Sequence, residues 1–142
     1  MTRVISFFLL GLAIALGGMT GCRKTAMSKS MQQSPQNLMS FGKAYREATL
    51  RLGQPPANLD QMTQELKDLG DTDQLLRSPE DNENYVIHWG AAAHANPAHV
   101  LAYEKVGKDG KRYVLWGHIV WFLTDEELKT KPFPPGYRAP AK

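Results

Sequence analysis

The apolar residues of this chain change their repeat once, and that change decides its fold class. Leu38, Phe41, Tyr45, Ala48 and Leu52 follow one another at alternating spacings of three and four, which places all five on one stripe of a helix with Lys43, Arg46 and Glu47 off it. From Tyr85 onward the pattern alternates instead, as it does in half-buried strands. Helices that come first and strands that come later predict an α+β domain, with the first helix laid over the sheet.

Local signals divide the two halves further. Ser34-Pro35 predicts a helix start, and Gly53 with Pro55-Pro56 predicts its stop. A second helix is expected from Asn58 to Leu69, capped by Asn58, striped by Leu59, Met62, Leu66 and Leu69, and ended by Gly70. Residues 71–84 contain Ser78-Pro79-Glu80-Asp81-Asn82 and read as turns. Four strands are expected at Tyr85–Trp89, Val100–Lys105, Arg112–Trp116 and Ile119–Leu123, with a tight hairpin at Gly107-Lys108-Asp109-Gly110 and a second turn at Gly117-His118. Thr124-Asp125-Glu126-Glu127 is a capping box that opens a short helix to about Lys129. Both faces of the third and fourth strands carry apolar residues, so either the second helix covers the second face or that face is an aromatic docking surface. The proline-rich residues 131–142 are expected to be disordered.

The N-terminus carries an address. Arg3 precedes an apolar run from Val4 to Leu16, and Gly17-Gly18-Met19-Thr20-Gly21 leads into Cys22, the only cysteine of the 142 residues. The run falls short of the roughly 20 residues that span a bilayer. With its charged start and small-residue end it reads as a secretory signal over residues 1–21, and Met19-Thr20-Gly21-Cys22 resembles a lipobox. Cys22 is then the lipidated residue, residues 22–36 form a flexible Ser/Gln-rich tether, and residues 37–130 form the domain. Lipidation uses the thiol, which excludes cysteine catalysis, disulfides and cysteine-based zinc sites. Arg3 leaves with the signal, so sixteen basic residues face fourteen acidic ones, a net charge of +2. That balance gives no electrostatic footprint for nucleic acid. The expected partners are a membrane, reached through the lipid on Cys22, and an envelope protein. Arg23, in place of an aspartate after the cysteine, leans towards the outer membrane.

The order of elements resembles the pseudopilin-like headpiece domains, related to type II secretion pilins, of planctomycete-type lipoproteins. The residues that carry the resemblance are Asn37-Leu38 through Tyr45, Pro55-Pro56, Leu76-Arg77-Ser78-Pro79 and Val100-Leu101-Ala102-Tyr103-Glu104. Gly110 to Leu115 and Gly117-His118 through Leu128 complete it. The resemblance implies helices packed on a small antiparallel four-stranded meander, presented from a membrane and working as a non-catalytic structural or interaction module. A pseudopilin begins with a prepilin peptidase site and a long hydrophobic helix, whereas this chain begins with a lipobox. What carries over is therefore fold rather than function.

No catalytic constellation stands against that expectation. The four histidines, His88, His94, His99 and His118, match no zinc spacing, there is no GxSxG elbow, and Asp125, Glu126 and Glu127 are accounted for by the first turn of a capped helix. Glycines 107, 110 and 117 belong to hairpins, not to a phosphate loop. No cofactor and no metal is expected, and a metal-dependent hydrolase is the weakest alternative. Trp89, Trp116 and Trp121 are the candidate interaction surface. Together with Tyr103 and Tyr113 they also leave open a module that binds glycans or small molecules by stacking.

Overall fold

The computed structural model describes residues 29–91 and 99–140, with side chains from Gln32 onward. The expected signal, the lipobox with Cys22, the first part of the tether and His94 lie outside the described residues. Among the described residues, no helix is long and apolar enough to cross a membrane.

The domain is α+β. A long first helix, α1 (Lys29–Leu52), is followed by a 3-10 turn (Leu59–Met62), α2 (Thr63–Lys67) and a one-turn helix α3 (Thr72–Leu75). Strands β1 (Val86–Ile87), β2 (Val100–Tyr103), β3 (Lys111–Trp116) and β4 (Ile119–Thr124) form an antiparallel meander in the order β1-β2-β3-β4, and α4 (Asp125–Lys129) closes it. The apolar stripe of α1 does what its period predicts: Leu38, Phe41, Tyr45 and Ala48 are buried against the sheet. Gly42 sits where α1 crosses Leu115. A Cβ there would stand 2.9 Å from a Leu115 methyl, so the close approach depends on the missing side chain.

The turns follow their residue chemistry. Asn58 caps the 3-10 turn through Gln61 N–H, and Thr124 and Glu127 form the reciprocal capping box of α4. Gly107 takes φ +74 with its Cα hydrogens against the Lys111 carbonyl, a position closed to any other residue. Between β3 and β4, Gly117 adopts φ +65 at the first position of a two-residue turn, which makes Trp116 and Ile119 the first cross-strand pair.

Five expectations are corrected. Helix α1 starts at Lys29, so the expected tether overlaps its first two turns and Pro35 lies inside the helix. Ser34 is no N-cap: its hydroxyl is buried and bonded to Glu104 and Tyr85, and those tertiary bonds offset the helical bond that Pro35 cannot make. The second helix is split, and only Met62 and Leu66 of its stripe are buried, while Leu59 and Leu69 stand exposed. Residues 72–75, expected as turn, form α3, because the Asp71 carboxylate caps the N–H groups of Asp73 and Gln74 and Leu75 inserts into the core.

The fifth correction concerns the second face of the sheet. Helix α2 packs beside α1 and does not reach that face. Leu128 of α4 and Phe133 of the proline-rich segment cover it, over Val100, Tyr103, Val114 and Leu123. The segment expected to be disordered from residue 131 is tied down by a bond from Val100 N–H to the Pro132 carbonyl (2.9 Å) and by ring contacts of Phe133 and Tyr137 with His88. Strand β2 is therefore buried on both faces, with a register shift between Val100 and Ala102 that turns Leu101 and Ala102 both towards α1.

Candidate functional site

The three tryptophans do not converge. Trp89 follows β1 on the α1 side, edge-on to Phe41 and beside Tyr45, as part of the first core. Trp116 and Trp121 lie on the other face, 6.0 Å apart, with Lys131 Nζ over Trp116 at 4.9 Å. Of the candidates named from the sequence, Trp121 alone is largely open to solvent, at 43 %.

What Trp121 belongs to is an edge. Strand β4 pairs with β3 on one side, and among the described residues no strand pairs with its other side. Ile119 (49 %) and Phe122 (42 %) are exposed beside Trp121. Alternation places Ile119 and Trp121 on one face of the sheet and Phe122 on the other, so apolar surface flanks the open edge from both sides. The segment Ile119-Val120-Trp121-Phe122-Leu123 contains no charge, proline or glycine, the devices by which edges are normally protected. The opposite edge is protected differently, because β1 is only two residues long.

Register decides which backbone groups the edge offers. Trp116–Ile119 closes the hairpin as a hydrogen-bonded pair. Val114–Trp121 and Arg112–Leu123 repeat that geometry, so Val120 and Phe122 turn their N–H and C=O groups outward. The charge at the two ends of the edge differs. At the turn end, His118 shares a shallow groove of about 300 Å³ with Met39, Lys43 and Arg46 of α1. At the other end stand Asp125, Glu126 and Glu127, with Asp125 held by Arg112 (2.6 Å) and Glu126 by Lys129 (3.0 Å).

The sequence reading missed a buried polar network at the other end of α1. The Glu104 carboxylate accepts from Ser34 Oγ, from Ser78 Oγ (2.8 Å) and from Tyr113 N–H (2.8 Å), and Tyr85 Oη lies 2.9 Å from Ser34 Oγ. Burial pushes the Tyr85 phenol well above its ordinary range, with Glu104 adding to the rise. Both serine hydroxyls spend their protons on one carboxylate, and no histidine takes part. The network therefore supplies no activated nucleophile. It ties α1, the 77–85 turn and the β2–β3 hairpin together. Nothing local in the sequence marks it, since Ser34 and the carboxylate it bonds are 70 residues apart.

Next to this network, a cleft of about 460 Å³ opens between α1 and residues 69–82, lined by Asn37, Gln74, Arg77, Ser78 and Asn82 among others. No aromatic ring lines it. Asn37 spends its amide N–H on the Gln74 carbonyl (3.2 Å).

The histidines fall apart as well. His88 is buried between Tyr103, Phe133 and Tyr137, with Nδ1 2.9 Å from the Val100 carbonyl oxygen, and desolvation pushes its pKa down. His118 is exposed at the turn. Among the described residues no three His, Cys, Asp or Glu side chains are grouped to hold a metal. No protein-family model, no curated protein and no solved structure matches this chain.

Proposed function

We propose that this chain is an envelope lipoprotein, anchored through Cys22, whose domain is a non-catalytic interaction headpiece of pseudopilin-like type. The observation that carries the reading is the β4 edge: a six-residue strand, open on one side, apolar on both flanks and without an edge-protecting residue. Such an edge is a template for adding a strand. A long helix laid across an antiparallel meander is what the pseudopilin-like resemblance of the sequence implies, and the charged start, apolar run and Met19-Thr20-Gly21-Cys22 support the anchor.

Three measurements test this. Mass spectrometry of the protein from its native host should find an acylated N-terminal Cys22, and Cys22→Ala should release the protein from the membrane fraction. A photo-crosslinking residue at Phe122 should capture a protein neighbour in intact envelopes, whereas one at Leu50, 77 % exposed on α1, should not. An unmodified Cys22 overturns the anchor, and equal crosslinking at both positions overturns the interaction surface.

A second reading, a small-molecule binder, is favoured by the amide- and guanidinium-lined cleft at Asn37, Gln74, Arg77 and Asn82 rather than by the tryptophans. Binding of a polar ligand that Arg77→Ala abolishes, with the Phe122 crosslink absent, would favour it.

A further inference from the structure

We infer that the solvent face of α1 is a membrane-docking surface, on which the domain lies flat along a bilayer that contains anionic phospholipid. The inference rests on the anchor at Cys22 and adds how the anchored domain sits.

Helix α1 carries a second stripe. Met39, Lys43, Arg46 and Leu50 follow one another at spacings of four, three and four, on the side opposite the buried Leu38, Phe41, Tyr45 and Ala48. Met39 is 58 % exposed and Leu50 77 %, and the two cations between them are exposed as well. Large apolar side chains interleaved with Lys and Arg on one helix face suit the boundary between headgroups and acyl chains. The shallow groove that Gly42, Leu115 and His118 line beside Lys43 and Arg46 widens this surface. Its charge is positive. Glu47 is the only carboxylate of α1, against four cations. It meets Lys43 at 3.9 Å with both side chains exposed, and Glu65 of α2 is held by Arg51. Arg46 makes no ion pair among the described residues. Arg23 and Lys24, between the anchor and the helix, add two more positive charges.

Chain length supplies the occupant. Seven steps separate Cys22 from Lys29, a reach of at most about 25 Å, so an anchored domain stays beside the bilayer. Contact is then intramolecular, and a patch too weak to bind from solution suffices. Two orientations compete. Standing on end, the domain would set down the end where α1 begins, next to α3 and the β2–β3 hairpin, to which Ser34 is tied through Glu104. Residues 71–83 there hold five carboxylates and one cation, and residues 105–111 hold one carboxylate and three cations. With six carboxylates to four cations, that end is repelled by an anionic bilayer, whereas the stripe is attracted. Lying flat also brings Met39 and Leu50, about 16 Å apart along the helix axis, down together. Because α1 covers one face of the sheet, the face that bears Trp121 then turns away from the bilayer and the β4 edge stays clear for a protein.

The test uses the protein as its host processes it, acylated at Cys22 or, where that thiol is free, coupled through it to a maleimide-bearing lipid. The probe is a photo-crosslinking residue at Met39, Leu50, Val106 or Trp121, one position at a time, on vesicles of mixed phosphatidylcholine and phosphatidylglycerol. Lipid adducts should form at Met39 and Leu50 and not at Val106, in the β2–β3 hairpin, or at Trp121. Lys43→Gln combined with Arg46→Gln should cut the Leu50 adduct several-fold while leaving the circular dichroism unchanged, and vesicles of phosphatidylcholine alone should cut it as far. Adducts at Val106 without Leu50 overturn the inference in favour of the end-on orientation, and adducts at Trp121 in favour of the β4 edge. Absence of adducts at all four positions overturns it in favour of a domain that stands clear of the lipid. An unchanged Leu50 adduct in the doubly substituted protein removes the role of charge and overturns it too. An unmodified Cys22 in the host sinks the anchor but leaves this measurement intact, and the Phe122 crosslink reads protein rather than lipid, so the readings can fail separately.

Discussion

The two faces of the sheet are covered by opposite means. On one, a single 24-residue helix lays Leu38, Phe41, Tyr45 and Ala48 across Leu101, Ala102 and Leu115. On the other, a five-residue helix and a few residues of proline-rich chain put Leu128 and Phe133 over Val100, Tyr103, Val114 and Leu123. The first cover is periodic and local, and every residue in it advertises its neighbours. The second is made of isolated side chains whose partners lie far away in sequence. It also stops short: Trp121 and Ile119, on the same face, stay open to solvent. A protein can thus build half of its core from a repeating pattern and the other half from single anchors, and the part left uncovered borders its open edge.

The largest expected effect lies under the long helix. Phe41→Ala should destabilise the domain by about 3–5 kcal/mol in denaturant unfolding, since its ring is buried between Tyr45 and Trp89. Leu128→Ala should cost about 2–4 kcal/mol, the toll of one anchor on the smaller face. If Leu128→Ala proves the costlier change, the ranking of the two covers is reversed.

Smaller effects sharpen the contrast at its polar points. Ser78→Ala removes one of the donors to the buried Glu104 carboxylate and should cost roughly 1–3 kcal/mol, with a normal circular dichroism spectrum. A change within experimental error would mean that the network does not hold the first face together.

His88 makes the second face sensitive to pH. Burial lowers its proton affinity in the folded state below the ordinary value near 6.5, so the unfolded chain takes up the proton first. The stability that neutral His88 contributes is complete above about pH 6.5 and is lost as pH falls further. The melting midpoint of the unsubstituted chain should therefore fall more steeply between about pH 7.5 and about pH 5.5 than that of His88→Gln. Parallel profiles would show that the cage of Tyr103, Phe133 and Tyr137 does not exclude the cation. The smallest effect belongs to Lys43→Ala on the solvent side of α1, within about 0.5 kcal/mol, since its partner Glu47 stands 3.9 Å away at the exposed surface.

Much of this was legible in the chain itself. The stripe from Leu38 to Leu52, the hairpin at Gly107–Gly110, the two-residue turn at Gly117-His118 and the capping box at Thr124 depend on residues within a few positions of each other. Local periodicity and turn chemistry report such features directly. Trp121 was legible as a surface candidate, but Ile119 and Phe122 were not, because apolar residues in a strand look alike whether the strand is central or at the edge. Trp89 and Trp116 were read as surface for the same reason.

What the sequence determined by itself is the α+β class, the order of the strands and the chemistry of the turns, all set by interactions over a handful of residues. Only the tertiary structure decided that α1 begins at Lys29, that residues 132–134 pack instead of trailing, and that Ser34, Ser78, Tyr85 and Glu104 meet. It alone left β4, among the described residues, as an open edge, with the two-residue β1 at the opposite edge. Each of those outcomes turns on a contact between distant residues, such as Ser34 with Glu104 or Val100 with Pro132. No local signal encodes such a contact, because its free energy exists only once the sheet has brought the partners together.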